Sequence, residues 1–312
     1  MTTPSLTLFE THVLPFATGS GRTRAVMERL RTRGIATVEG LGTRAEVLAF
    51  ARQVMTLVPH PDSDPDGLTT IRDRGAASRR SGLAGLGSGE LLAHTERSSL
   101  PRPPRLMLLV CQQPAISGGE VLLTDGRALH AFLAEHAPQA LAMMVLPGTA
   151  FYGDGGGHPS QIFTRHRDAR ISIRLRQDAL AAFSPLITGH LPHLRAAIDA
   201  LQQRITLDTG QGYLIDNSRW LHARTGFCGD RVCVRALGNP RTRMAPGFPV
   251  LAPMVDVALD DVPGGLPTPA LSGRTAAVDP SVRRGFAAGT GPSRSVRFRT
   301  TGRSAAWPST SY

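Results

Sequence analysis

Five short apolar runs in the middle of the chain, RLMLLVC, EVLLTD, ISIRLRQ, YLID and RVCVRAL, read as strands. Helical patterns flank them, with apolar positions recurring every three or four residues at 22–33 and 44–57, and further helices expected at 126–145 and 191–204. Between the first two helices GIATVEG reads as a strand closed by glycines, and LTTIRDRG as another. Many short strands with helices on their flanks predict a mixed α and β domain built around a sandwich or barrel. The Gly/Ser/Arg-rich stretch GAASRRSGLAGLGSG that follows is long enough to serve as a mobile cover over a site.

Composition narrows the class. Of 312 residues, 41% are hydrophobic and 19% charged, as in soluble globular proteins of one or two domains. No run approaches the ~20 consecutive apolar residues that span a bilayer. The N-terminus MTTPSLTLFETH has no charged-then-apolar signal pattern, so a cytoplasmic protein without membrane partners is expected. Cys111, Cys228 and Cys233 are too few for a disulfide framework or a four-thiolate zinc site. The formal net charge of +11 would suit nucleic acid, but every basic residue is Arg and none Lys. That is a global bias, not a patch, and without zinc-finger spacing or an Arg run interleaved with aromatics no nucleic-acid partner is expected. Past residue 250 the periodicity ends in scattered Gly, Pro, Ser, Thr and Arg. The expected organisation is a domain over 1–250 and a disordered tail over 251–312 that carries no chemistry.

The candidate chemistry begins at His94 and Glu96 in AHTERSS. On a strand, residues i and i+2 face the same way, so imidazole and carboxylate can reach one metal ion. His222 in YLIDNSRWLHARTGF is the third candidate. Two histidines and one carboxylate on one face of a metal leave positions open, which suits a non-haem Fe(II) oxygenase. Zinc hydrolases use similar ligands, but the chain lacks an H-E-x-x-H pair on a helix, which favours iron. Downstream, Arg231 and Arg235 in DRVCVRAL are four apart on an apparent strand, hence on one face and about 13 Å apart. Guanidinium groups on a rigid strand can take carboxylates bidentately, and an economical reading gives one to a dicarboxylate cosubstrate and one to an acidic substrate; the plain alternative is that both pair with surface acids such as Asp230.

His94-Thr95-Glu96, the following PRPPRLMLLVCQQPAISGGEVLLTDGRAL, and the distant LIDNSRWLHARTGF and DRVCVRAL together resemble the clavaminate synthase-like branch of the taurine dioxygenase superfamily of Fe(II)/2-oxoglutarate oxygenases. The resemblance covers about 60–240. It implies a double-stranded β-helix, or jelly roll, holding iron through His94, Glu96 and His222. It implies that Arg231 binds the distal carboxylate of 2-oxoglutarate, the cosubstrate, and Arg235 the carboxylate of a small-molecule substrate. The expected activity is O2-dependent hydroxylation of an amino acid or amino-acid-derived molecule in specialised metabolism, such as antibiotic biosynthesis. A sulfonate or other organic acid as substrate, or a non-catalytic binding protein on the same fold, are the alternatives. Two departures stand out. Relatives commonly have Thr after Gly-Gly-acid to help bind 2-oxoglutarate; this chain has Val121, and Thr124 would face the opposite side of the strand. The loop from His222 to Arg231 is also shorter than in clavaminate synthase. Retention of Glu96, which halogenating relatives replace by Gly or Ala, argues against halogenation.

Other histidines read differently. His166-Arg167-Asp168 spells a kinase triplet in a chain with no Lys, and is expected to be a polar turn. His190 and His193 flank a helix start. The GDGGGH segment ending at His158 reads as a flexible loop near the site's mouth, and Phe151 and Tyr152 as core residues in preference to pocket lining.

Overall fold

The computed structural model describes residues 20–75, 82–153 and 156–250. The expected tail over 251–312, and residues 76–81 of the expected cover, lie outside the described residues. Helix α1 (Ser20–Arg33) passes through Gly34, at φ +71°, into strand β1 (Ile35–Val38). Helix α2 (Arg44–Val54) opens with a capping box, in which Thr43 and Glu46 satisfy each other's backbone N–H groups. The helical periodicity extends to 57, but the helix stops at Val54 because residues from Met55 onward pair with a sheet as β2 (Met55–Leu57). Then come β3 (Thr69–Ile71), β4 (Leu91–His94), β5 (Leu106–Gln113), β6 (Ser117–Gly118) and β7 (Val121–Asp125). The helix expected at 126–145 is two, α3 (Gly126–His136) and α4 (Pro138–Met144). Pro138 explains the break, since it lacks an N–H and drives the preceding Ala137 out of the helical region.

Strands β8 (Ala150–Tyr152), β9 (His158–Ser160), β10 (Phe163–Arg165), β11 (Arg170–Ile173) and β12 (Ala181–Phe183) form small outer sheets. Helices α5 (Pro185–Thr188) and α6 (Leu191–Leu201) lead to β13 (Gln203–Ile205) and β14 (Gly212–Asp216). Strands β15 (Trp220–Arg224), β16 (Phe227–Cys228), β17 (Val232–Pro240) and β18 (Phe248–Pro249) complete the described chain.

Two antiparallel sheets face each other. One runs β1-β14-β5-β17-β2, with β3 also paired to β17; the other runs β13-β7-β15-β4. Strand β5 shows why its sequence is apolar without alternation. Leu106, Leu108 and Val110 pack outward against Val26, Leu30, Val47 and Phe50 of α1 and α2, while Met107 and Cys111 pack inward against Val121, Leu123 and Tyr213. Both faces are covered, so both must be apolar. The second sheet does the same: Leu122, Leu221 and Ala223 pack outward against Leu129, Leu133 and Leu194 of α3 and α6, and Val121, Leu123 and Trp220 turn inward. This is the expected double-stranded β-helix, or jelly roll, with flanking helices. No helix among the described residues is long and apolar enough to cross a membrane.

Candidate metal centre and cleft

The alternation that builds the interior also aims the polar side chains. On β15 the outward Leu221 and Ala223 leave His222 and Arg224 inward, and on β17 the outward Val234 and Ala236 leave Arg235 inward. These side chains open into a cleft of about 710 Å³ that also holds His60, His94, Glu96, Val121 and Arg231.

His94 ends β4 and lies directly opposite His222 of β15. The strand stops there, so Glu96 reaches the same point from a turn and not from strand alternation. Two sets of bonds place it. Thr95 N–H donates to the Leu175 carbonyl at 2.9 Å. Buried Asn217 accepts from Glu96 N–H at 2.7 Å and donates to the Glu96 and Pro104 carbonyls at 3.0 and 2.8 Å. As a result His94, Glu96 and His222 bring three ligand atoms within 4.8 Å of one another. Glu96 Oε1 is 3.4 Å from His222 Nε2 and 3.9 Å from His94 Nε2.

The donor set fits a divalent metal. His94 Nδ1–H donates to the Leu92 carbonyl at 2.8 Å, which leaves Nε2 as a lone-pair donor and fixes the ring. Burial and the adjacent His222 ring push the His94 pKa down to about 3, so the ring is neutral near pH 7. Burial alone would raise Glu96, but Arg235 and the two imidazoles hold it well below the usual carboxylate range. Two imidazoles and one carboxylate on one side of an ion are the donor set of non-haem Fe(II) sites.

The arginines sort by partner. Arg231 precedes β17, where a register irregularity falls between Val232 and Cys233, so the uninterrupted strand expected from Arg231 to Arg235 is broken. Both still line the cleft. Arg231 is only 5% exposed, its guanidinium is 5.8 Å from the Phe227 ring centre, and no acidic side chain among the described residues pairs with it. A buried, unpaired guanidinium is a costly arrangement that an incoming anion relieves. Arg235 donates to Glu96 Oε1 at 2.7 Å. Arg224, not singled out from sequence, is held by the carbonyls of Gly85, Gly87 and Gly89 and so ties the described part of the expected cover to β15. Val121 lies opposite Arg224 and lines the cleft, whereas Thr124 lies opposite Leu221 and is buried on the outer face.

His60 also escaped the sequence reading. Its Nδ1 accepts from Asp62 N–H at 3.1 Å, and burial, then the charge of Arg235, lower its pKa to about 4. His166 bonds Ser172 as a polar turn, and Tyr152 is core, its hydroxyl donating to the Arg174 carbonyl.

The motifs of the sequence become contacts. Thr225 donates to Glu120 and its hydroxyl accepts from Glu120 N–H, so the GGE and HART blocks grip each other. In the DNSR block Asp216 pairs with Arg105, Asn217 clamps Glu96, and Arg219 takes Asp125 through two bonds of 2.8 and 2.7 Å.

Solved structures share this architecture. Asparagine oxygenase, solved in complex with Fe(II), 2S,3S-3-hydroxyasparagine and succinate, is similar at 16% identity and a TM-score of 0.58, over 70% of this chain and 79% of that one. The non-haem iron oxygenase OrfP, with Fe, succinate and (3S)-hydroxy-L-Arg, is similar at 13% identity and a TM-score of 0.56, over 71% and 81%. PvcB, an Fe, alpha-ketoglutarate dependent oxygenase from an isonitrile synthetic pathway, is similar at 13% identity and a TM-score of 0.53, over 69% and 79%. The family model described as taurine catabolism dioxygenase TauD, TfdA family, matches residues 6–237, a span that takes in the converging triad and both arginines of the β17 segment. The chain belongs to the TauD/TfdA dioxygenase family.

Proposed function

We propose that this protein is an Fe(II)- and 2-oxoglutarate-dependent oxygenase that hydroxylates an amino acid or amino-acid-derived small molecule of specialised metabolism. The observation that carries the reading is the convergence of His94, Glu96 and His222 in a cleft that also holds a buried, unpaired arginine. The oxygenases of similar fold, solved with iron, succinate and hydroxylated amino acids, support it.

In this reading His94, Glu96 and His222 hold Fe(II). The iron, with 2-oxoglutarate and O2, supplies oxidative decarboxylation of the keto acid to succinate and the power to oxidise an unactivated C–H bond. Arg231 neutralises the distal carboxylate of 2-oxoglutarate. Arg235, on the inner face of β17 beside Glu96, takes the substrate carboxylate and so fixes which carbon lies nearest the metal. The His94 Nδ1–H to Leu92 bond and the Asn217 clamp keep the ligand atoms in place without substrate. Residues 1–250 form the catalytic unit, and 251–312 contribute nothing to its chemistry.

The test is turnover. Purified protein with Fe(II), O2 and labelled 2-oxoglutarate is offered a panel of amino acids and, separately, sulfonates and other organic acids. Succinate formed in step with a hydroxylated amino acid supports the reading. Succinate coupled only to a sulfonate moves the substrate class, and none coupled to any compound contradicts the proposal.

A further inference from the structure

Arg97 follows Glu96 directly and lines the same cleft. Among the described residues it has no side-chain hydrogen bond or ion pair. The other cleft arginines are engaged. Arg176 takes Asp178 through two bonds, Arg224 holds the carbonyls of Gly85, Gly87 and Gly89, and Arg235 bonds Glu96. Arg231 is assigned above to the cosubstrate.

The backbone under Arg97 is held in an unusual shape. Its φ is +54°, the left-handed region that L side chains other than Asn and Asp rarely adopt. The turn is fixed on both sides. Asn217 grips the N–H and carbonyl of Glu96, the Arg97 carbonyl accepts from Leu100 N–H at 3.0 Å, and Arg174 donates to the carbonyls of Ser98, Leu100 and Pro101. Such over-determined strain is typical of residues a site must aim. His60 and Arg235 line the same cleft as Arg97.

A zwitterionic amino acid seated with its carboxylate on Arg235 would leave Arg97 without a counter-charge inside the cleft. An acid with a second anionic group would supply one. We infer that Arg97 recognises a second oxyanion on the substrate, so that the preferred substrate class is a dicarboxylic amino acid and not a neutral zwitterion. The inference rests on the oxygenase reading and narrows its substrate.

Anaerobic protein loaded with Fe(II) is titrated calorimetrically with 2-oxoglutarate, then with L-aspartate, L-glutamate, their amides L-asparagine and L-glutamine, and L-cysteate. The expected result is that the acids bind at least ten-fold tighter than the amides. Arg97→Gln should erase that preference while 2-oxoglutarate still binds, and Arg97→Lys should restore part of it. Preference for L-cysteate over both carboxylic acids would keep the second oxyanion but overturn the dicarboxylic assignment. Amides binding as tightly as acids, none of the five binding, or Arg97→Gln weakening acids and amides alike overturns the inference alone. Absence of 2-oxoglutarate binding in the first titration sinks the oxygenase reading as well.

Discussion

Arg231 and Arg235 sit four positions apart and meet different partners, so their substitutions should separate. Arg231→Ala removes the buried unpaired cation, and the 2-oxoglutarate Kd is expected to rise at least ten-fold with Fe(II) affinity within two-fold, measured by anaerobic equilibrium dialysis. Arg235→Ala is expected to weaken substrate turnover while leaving both affinities nearly intact; loss of cosubstrate binding instead would show the two roles exchanged. Asn217→Ala strips three bonds from a buried turn and leaves Glu96 N–H without its partner, at a cost of roughly 2–4 kcal/mol in a urea melt and with weaker iron binding. That His94, Glu96, His222, Arg231 and Arg235 share one cleft was legible because each stands out by its own side chain at a recognisable spacing. Asn217, Arg97 and His60 were not. Their parts depend on contacts that only folding creates, such as the bond across 121 positions from Glu96 to Asn217.

Among the elements, the turn between β6 and β7 and the β16 segment paired with β6 show what the motif glycines do. Gly119 has φ +75°, and a Cβ there would lie 2.9 Å from Arg231 Cδ. Gly119→Ala is therefore expected to displace Arg231 and weaken 2-oxoglutarate several-fold without loss of iron, seen in the same dialysis experiment. The effect should be larger than that of Thr43→Ala, which breaks the α2 capping box at about 1 kcal/mol of stability and leaves the cleft untouched. Element types were readable from period, since β5, β7, β14 and β17 fall on the expected apolar runs. Boundaries were not: pairing of Met55 with Pro240 ended α2 early, and Pro138 divided the helix expected at 126–145. The register irregularity between Val232 and Cys233 left no local signal, because it is a property of the pairing of β5 with β17 and not of either segment alone.

For the molecule as a whole, burial on both faces of each main sheet is what makes the interior a place where charge is conserved in pairs or left for ligands. It also sets the acid sensitivity. His130 packs edge-on to Phe163 and Phe248, and burial, then Arg165, lower its pKa to about 4. The unfolded chain, with an ordinary His near 6.5, takes up the proton first as pH falls, so this contribution to stability is full above 6.5 and is lost between 6.5 and 4. Glu96, held low in the folded chain, acts in the same direction below the ordinary carboxylate range. His130→Leu is expected to remove part of this slope, roughly 3 kcal/mol by pH 4, in urea midpoints compared between pH 7 and pH 4. A mixed α and β domain around a sandwich or barrel was legible from the five apolar runs and the jelly roll from the family resemblance, whereas the bonds that Arg224 and Arg235 make inside the cleft form only once the sheets face each other. The most direct test of the account is an anaerobic titration with Fe(II) and then 2-oxoglutarate, watching for the visible metal-to-ligand charge-transfer band. The account predicts a band in the wild type that is absent in His222→Ala and needs much more 2-oxoglutarate in Arg231→Ala. No band in the wild type, or a band of full strength without His222, would contradict it.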